Sequence, residues 1–512
     1  MQTLIFSAAL LFFSAVSTSI DPLTYQENGT SVDVRHILTG DDVHWSTGTV
    51  VAFPNSTAFT NATERRVAWE APSFAAVITP VVEEDVAKAV KLAVQHNIPF
   101  LATGGRHGSG VGYGKVHGGL AIDLSHFNYF EVHTNSSIVT IGGSATFGEF
   151  QHELYAAGLM LPSGSCSCPG YVGLGVGGGI GRRMGSLGLV SDRILSARVV
   201  TATGHILDVS NEKHADLFWG IRGAGANLGV IISATFQAAK ASDYAGDGHA
   251  LTIDLYFDAK STTAYFEHLG NIAGSLPSNV GGLHLTMYNA TVNDAELFVN
   301  WVWYGPEAEG HAFISQFLSF GPYLVKNYEY ITWDHVIAVA GDGVGQSGLC
   351  IKEVYANSYA SNLKEFATST FIDTFAKLAQ FYAEYPEGRG SSSNLELFSN
   401  QAVAALDKDF DAYPWRDTKG FFTVSAYFDT TAQSNQTLLD IGDTFCRDLR
   451  DSWSETGGYA EQGGAIYVNY ARGDEPIESV WGDSLPRLAA LKKQWDPKNV
   501  FAYNNPLPTS YP

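Results

Sequence analysis

Three glycine-rich stretches, at 104–114, 173–181 and 223–229, lie within one region of the chain. Glycine lets backbone approach a ligand closely and aims unpaired N–H groups at phosphate oxygens. A single loop of this kind is as often a plain turn. Three, each beside an expected strand or helix, favour a dinucleotide site. A Rossmann fingerprint would follow the first strand and open a helix, with an acidic residue about twenty positions further on. Gly175-Val176-Gly177 lacks that context, because the Pro169-Gly170 loop precedes it and it falls late in the region. A different nucleotide-binding fold is expected.

The segment FAAVITPVVEEDVAKAVKLAVQHNIPFLATGG reads as strand, helix, strand, with Val86, Val90, Leu92 and Ala93 on or near one helical face. Glu83, Glu84 and Asp85 fall in its first turn, where the helix dipole favours acids. GGLAIDLSHFN and SIVTIGGSAT are further strands, a helix is expected from about Phe147 to Ala157, and ILSARVVTATGHILDV is a hairpin turning at Thr203-Gly204. From a boundary near residue 240 to about 455, strands such as ALTIDLYFD, GGLHLTMYNATV and FFTVSAYFD alternate with helices such as FIDTFAKLAQFYAEY, an α+β pattern. IYVNYARG is expected as a strand, followed by a helix ending near Asp496-Pro497 and an irregular tail.

Acidic residues outnumber basic ones 52 to 30, giving a formal charge of -22, which opposes binding to nucleic acid or to anionic membranes. The apolar run from Leu4 to Val16 is too short to span a bilayer and precedes small residues, so 1–19 reads as a signal peptide and 20–65 as a polar leader. Asn28, Asn55, Asn61, Asn135, Asn289 and Asn435 each open a glycosylation sequon, in keeping with export. A secreted, soluble monomer is expected. Four cysteines, at 166, 168, 350 and 446, make no disulfide scaffold. Cys350 with Cys446 is one conceivable bridge, and the Cys166-x-Cys168 pair needs its own explanation.

Taken in order, PFLATGGRHGSG, GGLAIDLSHFN, GSCSCPGYVGLGVGGGIG, LGLVSDRILSARVVTATG, DLFWGIRGAGANLGVI, YVNY and WDPKNVF resemble the FAD-linked oxidases of the vanillyl-alcohol oxidase superfamily, berberine-bridge-enzyme-like branch, fungal secreted type. The resemblance implies an α+β, two-domain fold of PCMH type, with an antiparallel-sheet substrate domain. Residues 66–240 and 456–512 would hold FAD and 241–455 would cover it. It places a covalent flavin link at His107, although Thr103-Gly104-Gly105-Arg106-His107 departs from the usual Arg-Ser-Gly-Gly-His order, and Arg106 is a candidate to hold the imidazole or a phosphate. Many members add a cysteine link eleven residues before the triplet beginning at Gly177, which indicates Cys166 and leaves Cys168 as a rival. Gly104, Gly105, Arg106, Gly108, Ser109, Gly164, Gly170, Gly177, Gly178, Gly179, Gly229 and Val230 would line the cofactor, with Asn469 and Asn504 near its ring. No metal is implied.

Alcohol oxidation needs a base within hydrogen-bond reach of the substrate hydroxyl. By resemblance to carbohydrate oxidases Tyr470 is the first candidate and Tyr467 the second, with Glu396, His284 and Arg416 as base, orienter or anion binder. The reading is a secreted oxidase that takes hydride from an alcohol or phenolic secondary metabolite and returns the electrons to dioxygen. The rivals are a carbohydrate oxidase on the same fold, a flavin dehydrogenase or cyclase that avoids dioxygen, and a binding protein that has lost its chemistry.

Overall fold

A computed structural model describes residues 24–27, 30–244, 246, 248–428 and 432–512. The expected signal segment and the Asn28 sequon lie outside them. Around the first glycine loop the chain builds a four-stranded sheet in the order Val50–Ala52, Phe74–Thr79, Gly119–Asp123, Phe100–Thr103. The last three strands run parallel, which their helical crossover permits. That crossover, Glu83–Gln95, follows its sequence pattern: Val86, Val90 and Ala93 are buried against the sheet. Strand Phe100–Thr103, half-buried at the edge of this sheet, therefore delivers the loop beginning at Gly104 from the end of a parallel strand.

A five-stranded antiparallel sheet follows, ordered Ile206–Ser210, Ile194–Val200, Val230–Gln237, Ile138–Gly142, Phe130–His133. The hairpin at Thr203-Gly204 forms as read, with Gly204 at φ 68°. Seven antiparallel strands form the third sheet, in the order Leu324–Thr332, His249–Phe257, Asp294–Trp303, Val280–Asn289, Ser392–Phe398, Gly420–Tyr427, Ala356–Leu363. Helices Ala259–Ile272, Thr368–Glu384 and Gln436–Thr456 cover one face of this sheet and share with it a core that includes Tyr265, Trp301, Phe371, Leu395, Leu397 and Trp453.

Side chains alternate across a strand, and this alternation decides which residues reach the other face. Leu395 and Leu397 enter the helix-covered core, so Glu396 and Phe398 turn the opposite way. Glu396 pairs in register with Leu283, whose neighbour His284 points into the core beside Trp301.

Two expectations fail. The YVNY segment is no strand: Tyr467 N–H is taken by the Asn362 side chain and Ile466 N–H by the Ser479 carbonyl, so tertiary partners bend it into turns. Cys350 does not pair with Cys446, which is buried in the helix Gln436–Thr456; the disulfide joins Cys168 to Cys350. No described helix is long and apolar enough to cross a membrane.

Candidate active site

Residues 101–110 and 163–169 are half-buried throughout, the exposure expected of chain that walls an internal space. A cavity of about 230 Å³ opens there, lined by Arg65, Arg66, Gly104–His107, Ser144, Cys168, Cys350 and Lys352 among others. The three glycine stretches divide the work unequally. In the third, Gly223 and Gly225 both donate to the Val176 carbonyl, so it braces the second stretch. In the second, Gly178 donates to the Gly175 carbonyl and Gly179 to the Tyr467 hydroxyl. In the first, the N–H groups of Gly104, Gly105 and Arg106 meet no acceptor among the described residues.

Those free donors suit phosphate oxygens, and so does the Ser144 hydroxyl, which is buried on the same wall with no partner among the described residues. A Cβ on Gly104 would stand 2.5 Å from the Gly143 carbonyl oxygen and one on Gly105 2.3 Å from the Gly170 nitrogen, so only glycine allows the loops to close this tightly. The residues present therefore fit a phosphate-bearing dinucleotide such as FAD.

Arg106 sits at φ 53° and its guanidinium is held by Asp123 at 2.6 Å and by the Glu64 and Asn61 carbonyls. It braces the loop from behind and does not bond the imidazole. His107 presents Nε2 to the Leu349 carbonyl at 3.2 Å. A carbonyl only accepts, so Nε2 carries the proton and Nδ1 keeps its lone pair. Burial, with help from the nearby Arg66 charge, pushes the imidazole down to about 4 and keeps it neutral. His107, Cys166 and Cys168 bring their nitrogen and sulfur atoms within 4.8 Å of one another. Cys168 is spent in the disulfide, so Cys166 is the free thiol at this point.

Tyr470 donates its hydroxyl to Glu396 Oε2 at 2.8 Å. Burial raises Glu396 to about 7, against the pull of Tyr470, Arg182, Ser165 and Asn394. Burial and the Glu396 charge both hold the Tyr470 phenol above its ordinary value. Burial, and after it the Glu396 charge, pushes the Cys166 thiol up to about 12, which ties the pair to the loop that carries Cys166. Tyr467 differs in kind, because its oxygen accepts from Gly179 N–H at 3.0 Å and from Asn469 Nδ2 at 2.6 Å. It anchors the Gly177–Gly179 turn, and Asn469 packs against Gly177.

Other candidates are occupied elsewhere. His284 is pushed down to about 3 by burial and pairs with the Tyr265 hydroxyl inside the helix-covered core. Arg416 is paired through one guanidinium nitrogen with Asp192 at 3.0 Å and Asp411 at 2.6 Å. Val230 is buried in the core beneath the parallel sheet, and Gly229 packs on Val199. Gly170 caps the short helix Tyr171–Gly175, the Gly108 carbonyl accepts from Arg65, and Ser109 follows it on the half-buried loop. Asn504 receives a bond from Asn505 at 3.4 Å and gives its carbonyl to Asn227. Gly164 lines a small pocket with Arg182 and Arg183.

Sequence reasoning missed Arg182, whose buried guanidinium keeps near Glu396 a nitrogen with no partner among the described residues. It also missed the Leu349 carbonyl, a backbone atom that carries no residue-type signal. Asn55, Asn61, Asn135 and Asn435 are exposed, whereas the Asn289 amide is engaged by Glu296 at 2.7 Å.

Residues 74–210 match the FAD binding domain family and residues 466–508 the berberine and berberine-like family. The FAD-linked oxidoreductase fogF of Aspergillus ruber is 42% identical over 94% of this chain and 96% of its own length. The FAD-linked oxidoreductase srdI of Neurospora crassa is 39% identical over 99% of each chain. Among solved structures, the Physcomitrella patens BBE-like 1 protein aligns with a TM-score of 0.78 at 20% identity, covering 91% of this chain and 98% of that one. The Acremonium strictum glucooligosaccharide oxidase aligns at 0.76 and 22%, covering 90% and 97%. A further structure of that oxidase is described as carrying a 6-S-cysteinyl, 8α-N1-histidyl FAD.

Proposed function

The chain belongs to the berberine-bridge-enzyme-like FAD-linked oxidoreductases, and from that premise we propose that it oxidises the carbinol carbon of an alcohol or phenolic secondary metabolite, with FAD bonded to His107 and Cys166. When bound, FAD accepts the substrate hydride and passes the electrons to dioxygen, which leaves as hydrogen peroxide.

The observation that carries this reading is the Tyr470–Glu396 pair, placed beside Cys166. Tyr470 takes the substrate hydroxyl proton as its own passes to Glu396, whose carboxylate already accepts that hydrogen bond. A carboxyl near 7 is split between its two forms at neutral pH, so it can take the proton and release it each turnover. Arg182 offers its free N–H to a substrate oxygen or to negative charge that builds on the ring. His107, neutral with Nδ1 unprotonated, and Cys166, a free thiol within 4.8 Å of it, are the two groups that would hold the ring. The Cys168–Cys350 disulfide and the exposed sequon asparagines support an exported protein folded in an oxidising compartment. In this reading 66–240 and 456–512 grip the cofactor while 241–455 cover the ring.

The test is to denature the purified protein in acid, locate flavin mass on its peptides, and screen primary and benzylic alcohols against oligosaccharides with peroxide detection. Flavin on His107 and Cys166 with peroxide from small alcohols upholds the proposal. Turnover of oligosaccharides alone replaces the substrate class, and flavin released by acid removes the covalent reading.

A further inference from the structure

The segment 343–354 comes from the side of the seven-stranded sheet and is stitched across both proposed attachment loops. Ser167 N–H donates to the Gly345 carbonyl at 3.1 Å, Cys350 is bonded to Cys168, and His107 Nε2 meets the Leu349 carbonyl one residue earlier. Beyond it, Glu353 and Val354 donate to the Arg65 and Arg66 carbonyls, and Lys352 pairs with Glu64 at 2.7 Å. Cys168, Cys350 and His107 all line the same cavity. The Cys-x-Cys sulfurs and the imidazole lie within 4.8 Å of each other, so either thiol is near enough to compete for one ring carbon.

We propose that the Cys168–Cys350 disulfide is the positioning device for cofactor attachment: it pins the Leu349 carbonyl on His107 so that Nδ1 is the nitrogen presented, and it withholds Cys168 so that Cys166 is the thiol presented. This rests on the covalent attachment proposed above. At His107, the Nδ1–C bond forms as one C–H bond of the ring's 8-methyl group breaks. Dioxygen takes the two electrons, that proton and one from solvent, and leaves as hydrogen peroxide. The imidazole is left with a positive charge whose Nε2–H faces the Leu349 carbonyl, which stabilises it. At Cys166, an S–C bond forms as the S–H and the ring C–H break, and a second dioxygen takes two electrons and both protons.

The experiment compares wild type, Cys350→Ser and Cys168→Ser/Cys350→Ser as full-length proteins, each produced flavin-free under riboflavin starvation and then mixed with FAD. Acid-stable colour is followed in time, flavin is mapped by peptide fragmentation, and thermal unfolding reports folding. The double variant is expected to attach flavin at His107 about ten-fold more slowly, the factor that one lost hydrogen bond of ~1.4 kcal/mol represents, while Cys166 still reacts. Cys350→Ser is expected to spread flavin over Cys166 and Cys168. Should the double variant fail to fold, wild-type apoprotein loaded with and without prior reduction of its disulfide makes the same comparison. Attachment at His107 at the wild-type rate without the disulfide overturns the first half, and flavin on Cys166 alone in Cys350→Ser overturns the second. Wild type with no flavin on His107 overturns the attachment reading itself, and this inference with it.

Discussion

Tyr470 donates its phenolic hydrogen to Glu396 over 2.8 Å, and the receiving carboxyl is buried enough to sit near 7. The proposed mechanism needs both members of the pair, the phenol to meet the substrate and the carboxylate to drain the proton. Tyr470→Phe is expected to lower kcat by about 10²–10⁴-fold, the range for loss of general-base catalysis, with flavin content unchanged. Rapid-mixing measurement of flavin reduction checks it; a reduction rate within a few-fold of wild type removes Tyr470 from the mechanism.

The same carboxyl predicts a pH limb. Glu396 must be ionised to accept the proton, so flavin reduction should rise with pH through about 7 and level off above it. Glu396→Gln should lower the plateau and erase that limb. A limb of the same midpoint in the variant assigns the titration to another group.

Stability carries the opposite sign. Glu396 is raised from 4.5 to about 7 in the folded protein, so its contribution is fully present below 4.5 and is lost as pH rises through 7. The shift is worth about 3 kcal/mol at most. Glu396→Gln should therefore gain on wild type between pH 5 and 8 in urea unfolding, both compared at equal flavin loading; a constant gap across that range contradicts the buried, raised carboxyl.

Tyr467 offers the contrast within the same segment. Its oxygen accepts from Gly179 and Asn469, and Tyr467→Phe orphans the Gly179 N–H and leaves Asn469 Nδ2 only the Leu174 carbonyl, at a cost of about 1–3 kcal/mol. The melting temperature should fall and flavin should be held less firmly, while the pH dependence of reduction stays that of wild type. A displaced pH profile would show Tyr467 to be the base instead.

How legible this was in the sequence depends on where each partner lies along the chain. The strand–helix–strand unit around Val86 and Val90 follows from local periodicity, and the loop after it carries His107 to the cavity wall. The glycine stretches were visible, yet their division of labour was not, because Gly223, Gly225 and Gly179 spend their N–H groups on Val176 and Tyr467, which only the folded chain brings near. The disulfide spans 182 residues, and no spacing rule reaches that far. His284 and Glu396 both looked chemical; the strand register sends one into the core and the other to the site.

Arg416 shows the same limit and yields the last prediction. It reads as an anion binder, but its guanidinium lies between Asp192 and Asp411 with side chains almost wholly buried, so its anions are already inside the protein. Burial raises Asp411 to about 6 even with the cation beside it. Arg416→Met would leave two buried carboxylates facing each other, and breaking a buried pair costs about 3–5 kcal/mol. Because the carboxylates repel only when charged, the loss should be greatest above pH 6 and shrink as acid protonates Asp411. Urea unfolding at pH 5 and pH 8 checks this, with substrate KM as the control. A large rise in KM without loss of stability would return Arg416 to the substrate site.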